Sequence, residues 1–143
     1  MKKIFSPKSW MLQEGLTFVR IFIGLLMVYH GWEVFDKAKM EEYSKWESFV
    51  KYSSPGIMVY IGKSAELISG ALLVLGLFTR IASVILIVTM LYICFKIGNG
   101  KFWYEDQHPF LLALIGVIYF FTGGGKYSLD HSFFKISSDS GAV

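Results

Sequence analysis

The sequence predicts an all-α integral membrane protein, a four-helix bundle with an amphipathic interfacial helix between its first and second spans. Four apolar stretches, at about 15–35, 57–78, 81–98 and 108–123, come close to the roughly 20 residues that a helix needs to cross a bilayer. Runs such as residues 23–28 and 81–86 lack the period-two alternation of a membrane barrel strand. A helix also satisfies its own backbone hydrogen bonds, which lipid requires.

The connections between these stretches differ in length. Thr79-Arg80 predicts a tight hairpin between the second and third stretches, and residues 99–101 predict a turn before the fourth. Between 36 and 56, apolar side chains recur every three or four residues, which predicts one amphipathic helix at the membrane interface or over the end of the bundle; they are Met40, Tyr43, Trp46 and Phe49. Glycines 123–125 end the fourth stretch, and we expect disorder after about residue 137. Residues 1–143 are expected to form a single domain, with the first stretch retained as a span.

Charge and cysteine content exclude several classes of protein. The formal net charge of +3 is scattered and forms no basic face interleaved with aromatics, so nucleic acid is not an expected partner. The lone Cys94 lies in the third stretch and cannot form an internal dithiol pair. Four crossings place both termini on one side, and Lys2, Lys3 and Lys8 favour the cytoplasmic side.

Ionisable residues interrupt the apolar stretches. A charge near the bilayer centre costs at least about 2.5 kcal/mol, so such residues usually face a protein interior and mark a functional site. The hairpin topology puts most of them in one half of the membrane, where we expect a ligand-binding pocket; they are His30, Glu33, Lys63, Glu66, Lys96, Glu105, Asp106 and His108. Glu66 is the deepest. A spacing of three gives His30 and Glu33 one shared helix face, and Lys63 and Glu66 another.

Some of these residues also suit roles other than binding an organic ligand. Lys63 and Lys96 suit side chains that snorkel to the interface, with Glu105 and Asp106 outside the hydrocarbon. Glu66 suits a hydrogen-bonded tie between helices. His30 and His108 could ligate haem, or a metal together with acidic residues. No tight HxxxH or ExxH spacing supports either, so neither haem nor a metal is expected.

Several motifs resemble those of the DoxX family of small bacterial membrane proteins. They extend from the first stretch into the tail, as Arg20-x3-Gly24-x5-His30-Gly31, Glu66-x3-Gly70, Leu75-Gly76-Leu77-Phe78-Thr79-Arg80 and Gly123-Gly124-Gly125-Lys126-Tyr127-Ser128-Leu129-Asp130. The resemblance implies a four-helix bundle in the bacterial inner membrane. It also implies membrane redox work, as a quinone-coupled sulfur-oxidation subunit or in a thiol and oxidative-stress complex, with other membrane or redox proteins as partners beside the lipid bilayer.

We assign structural roles to three charged residues, Arg20, Arg80 and Asp130. Arg20 lies in the opposite half of the membrane from the pocket, and Arg80 and Asp130 share a side, so we expect those two to form an ion pair.

Three hypotheses for function follow. The first is an accessory subunit of a membrane redox system, binding a quinone-like or other small polar-headed molecule. The second is an assembly protein whose buried charges fix helix contacts, and the third is a small proton-coupled transporter. The oligomeric state is left open.

Overall fold

A computed structural model describes residues 11–133, and over that range all regular secondary structure is helical. The lysines at positions 2, 3 and 8 and the tail beyond about 137 lie outside the described residues. The helices are α1 (Leu12–Gly31), α2 (Lys37–Ser44), α3 (Glu47–Val50), α4 (Pro55–Leu75), α5 (Thr79–Tyr92) and α6 (Gln107–Thr122). A 3₁₀ turn, Trp32–Phe35, extends α1, and a π-helical turn, Ile93–Ile97, extends α5.

Three of these helical segments are long and apolar enough to cross a membrane: Leu12–Phe35, Pro55–Leu75 and Thr79–Ile97. The predicted all-α fold with membrane helices is therefore confirmed. The fourth apolar stretch forms α6, whose 16 residues at about 1.5 Å each are shorter than the hydrocarbon core. Four crossings remain a prediction.

Glycines bring α1 and α4 into close contact. A Cβ on Gly70 would lie 2.7 Å from the backbone nitrogen of Val28, and one on Gly24 would lie 2.8 Å from the carbonyl oxygen of Gly70. Only glycine fits where two helix backbones approach this closely. The helices α5 and α6 complete a shared apolar core, which includes Met27, Leu73, Leu86, Met90, Leu112 and Ala113.

The segment between α1 and α4 differs from the prediction of one amphipathic helix, which is wrong. The chain forms two short helices instead, because Trp46 adopts an extended conformation between them (φ −64°, ψ 140°). Asp36 begins the first of them, its carboxylate accepting from Lys39 N at 3.2 Å. The break lets Met40 and Phe49 both bury against Val59 near the start of α4, so this segment covers one end of the helices.

Arg20 is 1% exposed and lies at the other end of the molecule. Its guanidinium donates to the carbonyl oxygens of Leu73 (2.5 Å), Val74 (3.3 Å) and Tyr127 (2.7 Å). The first two belong to the last turn of α4, where unpaired carbonyls and the helix dipole favour a cation. Arg20 thus joins α1, the end of α4 and the tail, which is the geometry that a structural role requires.

Asp130 does not pair with Arg80, so the prediction of that ion pair is wrong. Its carboxylate accepts from the backbone N–H groups of Phe78 (2.7 Å) and Thr79 (2.9 Å) at the start of α5. Phe78 has no side chain that can cap these groups, and a carboxylate at a helix N-terminus also gains from the dipole. Arg80 is left exposed on the first turn, and the residues predicted as the hairpin turn are helical because Gly76 (φ +65°) ends α4 earlier.

We expect Asp130→Ala to lower the free energy of unfolding by about 0.5–2 kcal/mol, the usual range for a lost helix cap. Denaturant titration of the detergent-solubilised protein would measure it. Asp130→Asn keeps an acceptor and should lose less. Equal losses for Asn and Ala would contradict capping as the role of Asp130.

Candidate functional site

A cavity of about 430 Å³ lies at the end of the molecule that α2 and α3 cover. It is bounded by α1, α4, the end of α5 and the start of α6. Apolar side chains form most of its wall, among them Met27, Phe49, Val59, Tyr92, Ile97 and Leu112. Of the residues predicted to bind a ligand, the structure brings five to this cavity: His30, Glu33, Lys63, Glu66 and His108.

Lys63 joins the two carboxylates of the cavity. Its ammonium nitrogen lies 2.9 Å from Glu33 Oε2 and 3.0 Å from Glu66 Oε2. Glu66 is 5% exposed, and the side chain of Lys63 is 17% exposed. Such an ion pair is stable away from water only when its geometry is good and its remaining hydrogen bonds are satisfied. Lys63 and Glu66, which the sequence places three residues apart on one helix face, are thus in direct contact.

Residues of α2 hold the other side of Glu33. Lys39 Nζ lies 2.7 Å from Glu33 Oε1, and the Tyr43 hydroxyl donates to Glu33 Oε2 at 2.9 Å. The hydrogen bond to Glu33 raises the pKa of Lys39, so the lysine stays charged. Burial, and then the Glu33 carboxylate, raise the pKa of Tyr43, which keeps its hydroxyl protonated as a donor. Glu33 thereby fastens the covering segment to α1.

The two histidines stand near the opening. Their ring centroids are 6.4 Å apart, and both residues are exposed. In residues 11–133, no group of three His, Cys, Asp or Glu side chains is placed to hold a metal ion. The imidazoles are free to donate or accept hydrogen bonds as a ligand requires.

Three predicted site residues lie elsewhere, which corrects their assignment to the pocket. Asp106 accepts from the backbone nitrogens of Asn99 (2.9 Å) and Lys101 (3.0 Å), closing the loop before α6. Glu105 pairs with Lys101 at 3.2 Å on the surface. Lys96 is exposed on the π-helical turn and does not line the cavity. The loop's backbone amides attract the Asp106 carboxylate because these amides have no helical partners of their own.

Sequence reasoning missed other members of the wall. The amphipathic segment that carries Tyr43, Trp46 and Phe49 is expected from the sequence to roof the pocket, but these three residues are not singled out there as site residues; all three line the cavity. Tyr92 donates to the Tyr52 hydroxyl at 2.6 Å, which ties α5 to the segment that precedes α4. No local pattern signals that pair, because it joins residues 40 positions apart.

Comparison with known proteins gives the family. The sequence model of DoxX matches residues 15–99, more than half of the chain. The chain belongs to the DoxX family. This DoxX domain match includes four of the five predicted ligand-binding residues that line the cavity, and only His108 follows it; the four are His30, Glu33, Lys63 and Glu66.

Two relatives align with most of this DoxX protein. One, from Haemophilus influenzae and named "Uncharacterized protein", is 30% identical over 127 residues, which covers 84% of this chain and 91% of the relative. The other, from Bacillus subtilis and named "Putative oxidoreductase CatD", is 28% identical over 122 residues, covering 85% and 88%. No solved structure matches the chain significantly.

Proposed function

We propose that this protein is an accessory subunit of a membrane redox system that binds a quinone-like or other small polar-headed molecule in the cavity. The observation that carries the proposal is the combination of an apolar wall with a buried charged network at one edge. Small-molecule sites commonly have volumes of about 300–1,000 Å³, apolar linings and a few convergent polar groups. The name of the Bacillus relative supports the redox setting.

Each charged residue has a role in this proposal. Glu66 and His30 hydrogen-bond to the polar head of the ligand or exchange a proton with it. Glu33 and Lys63 set the charge around them. The aromatic side chains of Phe49 and Tyr92 offer flat surfaces on which a ring can pack.

The proposal places the chain in the bacterial inner membrane as a four-helix bundle with both termini in the cytoplasm. The short helix α6 then crosses together with part of the loop before it. Under this topology the cavity lies in the outer half of the membrane, within reach of lipid-soluble molecules.

The rival hypothesis is an assembly protein, and the pairing of Glu33 and Lys63 favours it. A sealed cluster would suit that role best. The exposure of His30 and His108 at the cavity favours ligand binding instead, because it leaves a route for a molecule to enter.

Mass spectrometry of small molecules that copurify with the protein tests the proposal. We expect wild-type protein to retain a small molecule whose polar head donates a hydrogen bond, such as a hydroquinone. Glu66→Gln should retain at least about tenfold less of it, the effect of losing one good charged hydrogen bond. Glu105→Gln is the matched control, because it removes the same charge outside the cavity. Absence of any such molecule from wild-type protein, together with no binding of added quinone or hydroquinone, would refute ligand binding and leave the assembly role.

A further inference from the structure

Glu66 has unused hydrogen-bonding capacity at the cavity. Its Oε2 atom accepts from Lys63 at 3.0 Å. Its Oε1 atom accepts no hydrogen bond from any residue between 11 and 133. Only 7% of the Glu66 side chain is exposed, so Oε1 has little water around it. A ligand that displaces this water from the cavity must supply a donor to Oε1 in its place.

The neighbouring charges cannot provide that donor. Lys63 Nζ has three oxygens around it, those of Glu33 (2.9 Å), Glu66 (3.0 Å) and the His30 carbonyl (3.3 Å), which match its three N–H bonds. Both oxygens of Glu33 are also occupied, by Lys39 and by Lys63 with Tyr43. Lys63 therefore has no N–H bond left to donate to a ligand.

This asymmetry bears on the chemical form of the ligand. An ionised carboxylate only accepts hydrogen bonds. A ketone oxygen placed against Glu66 Oε1 would therefore be repelled, because both oxygens present lone pairs and neither carries a proton. A hydroxyl in the same place would donate to it, and a hydrogen bond to a charged acceptor is among the stronger kinds.

We infer, on the basis of the proposed function, that the cavity prefers a ligand bearing a hydroxyl donor: the reduced, hydroquinone form rather than the quinone, or another aromatic alcohol. Glu66 Oε1 accepts the hydroxyl proton in a hydrogen bond. The imidazoles of His30 and His108 and the hydroxyl of Thr89 tolerate either form, since each donates or accepts. Discrimination between the two forms thus rests on Glu66.

Three ring-matched probes test this preference on the full chain in detergent under anaerobic conditions: naphthohydroquinone, its dimethyl ether and naphthoquinone. Equilibrium dialysis gives the dissociation constant of each. We expect the hydroquinone to bind at least about tenfold more tightly than the other two, because only it can donate to Glu66. The wild-type comparison needs no variant and so does not depend on a variant's folding.

The Glu66→Gln variant tests whether Glu66 causes the preference for the hydroquinone, because the glutamine amide both donates and accepts hydrogen bonds. The hydroquinone and the quinone should then bind within about threefold of each other, whereas Glu105→Gln should keep the wild-type preference. A preference unchanged in a folded Glu66→Gln would overturn the assignment. Equal binding of all three probes to wild type would overturn the inference and leave the proposed function standing. Binding of none of them would refute the proposed function itself.

Discussion

Arg20→Met is expected to destabilise the protein by about 2–4 kcal/mol, because buried carbonyl groups left without a donor cost about 1–3 kcal/mol each. Methionine approximates the length of the arginine stem but donates nothing. The buried carbonyl of Leu73 loses its guanidinium contact at 2.5 Å, and the part-buried carbonyls of Val74 and Tyr127 lose theirs at 3.3 and 2.7 Å. Denaturant titration in detergent micelles, followed by circular dichroism, would measure the loss.

Arg80→Met is the matched control for Arg20. Arg80 carries the same charge on the same side of the molecule, but it is exposed and forms no ion pair within residues 11–133. Its replacement should change stability by less than about 0.5 kcal/mol. Similar losses from both substitutions would show that positive charge on this side, rather than the hydrogen bonds of Arg20, provides the stabilisation.

Lys63→Met is expected to cost about 3–5 kcal/mol, the usual result of removing one partner of a buried ion pair. Glu33 keeps Lys39 and Tyr43 after this change, whereas Glu66 loses the ammonium group that neutralises it. Thermal unfolding of the variant beside wild type, with the same circular-dichroism readout, would show the difference.

The double variant Lys63→Met/Glu66→Gln separates charge from side-chain volume. Removing the carboxylate as well should restore most of the lost stability, since no unpaired charge then remains in the interior. Lys39→Met, which removes a surface partner of Glu33, should have little effect. If the double variant were no more stable than Lys63→Met, the unpaired charge of Glu66 would not be the source of the loss.

Much of the helical architecture could be predicted from the sequence. Apolar runs of bilayer length specify helices, and Gly24 and Gly70 mark where α1 and α4 approach each other. The spacing of Lys63 and Glu66 was enough to anticipate their contact, because residues three apart share a helix face. These features depend on local periodicity, which a single sequence carries in full.

Contacts between distant backbone groups could not be predicted in the same way. Asp130 and Asp106 were expected to bind a cation or a ligand, yet both accept from backbone N–H groups at a helix start or in a loop. The backbone amides that lack a partner are those near the ends of helices. Two such ends, that of α4 at Gly76 and the π-helical turn after Tyr92, were not apparent from the composition. An acidic residue near such a boundary is as well suited to capping as to chemistry.

The charges of the ion-pair network beside the cavity balance. Glu33 and Glu66 contribute two negative charges, and Lys39 and Lys63 contribute two positive ones. A charge that moves through the bilayer does work against the transmembrane voltage, about 2.3 kcal/mol per charge for each 100 mV. A neutral molecule that enters a balanced network moves no net charge through that field. We therefore expect binding of the proposed neutral ligand to be independent of the membrane potential, whether the cell is energised or not.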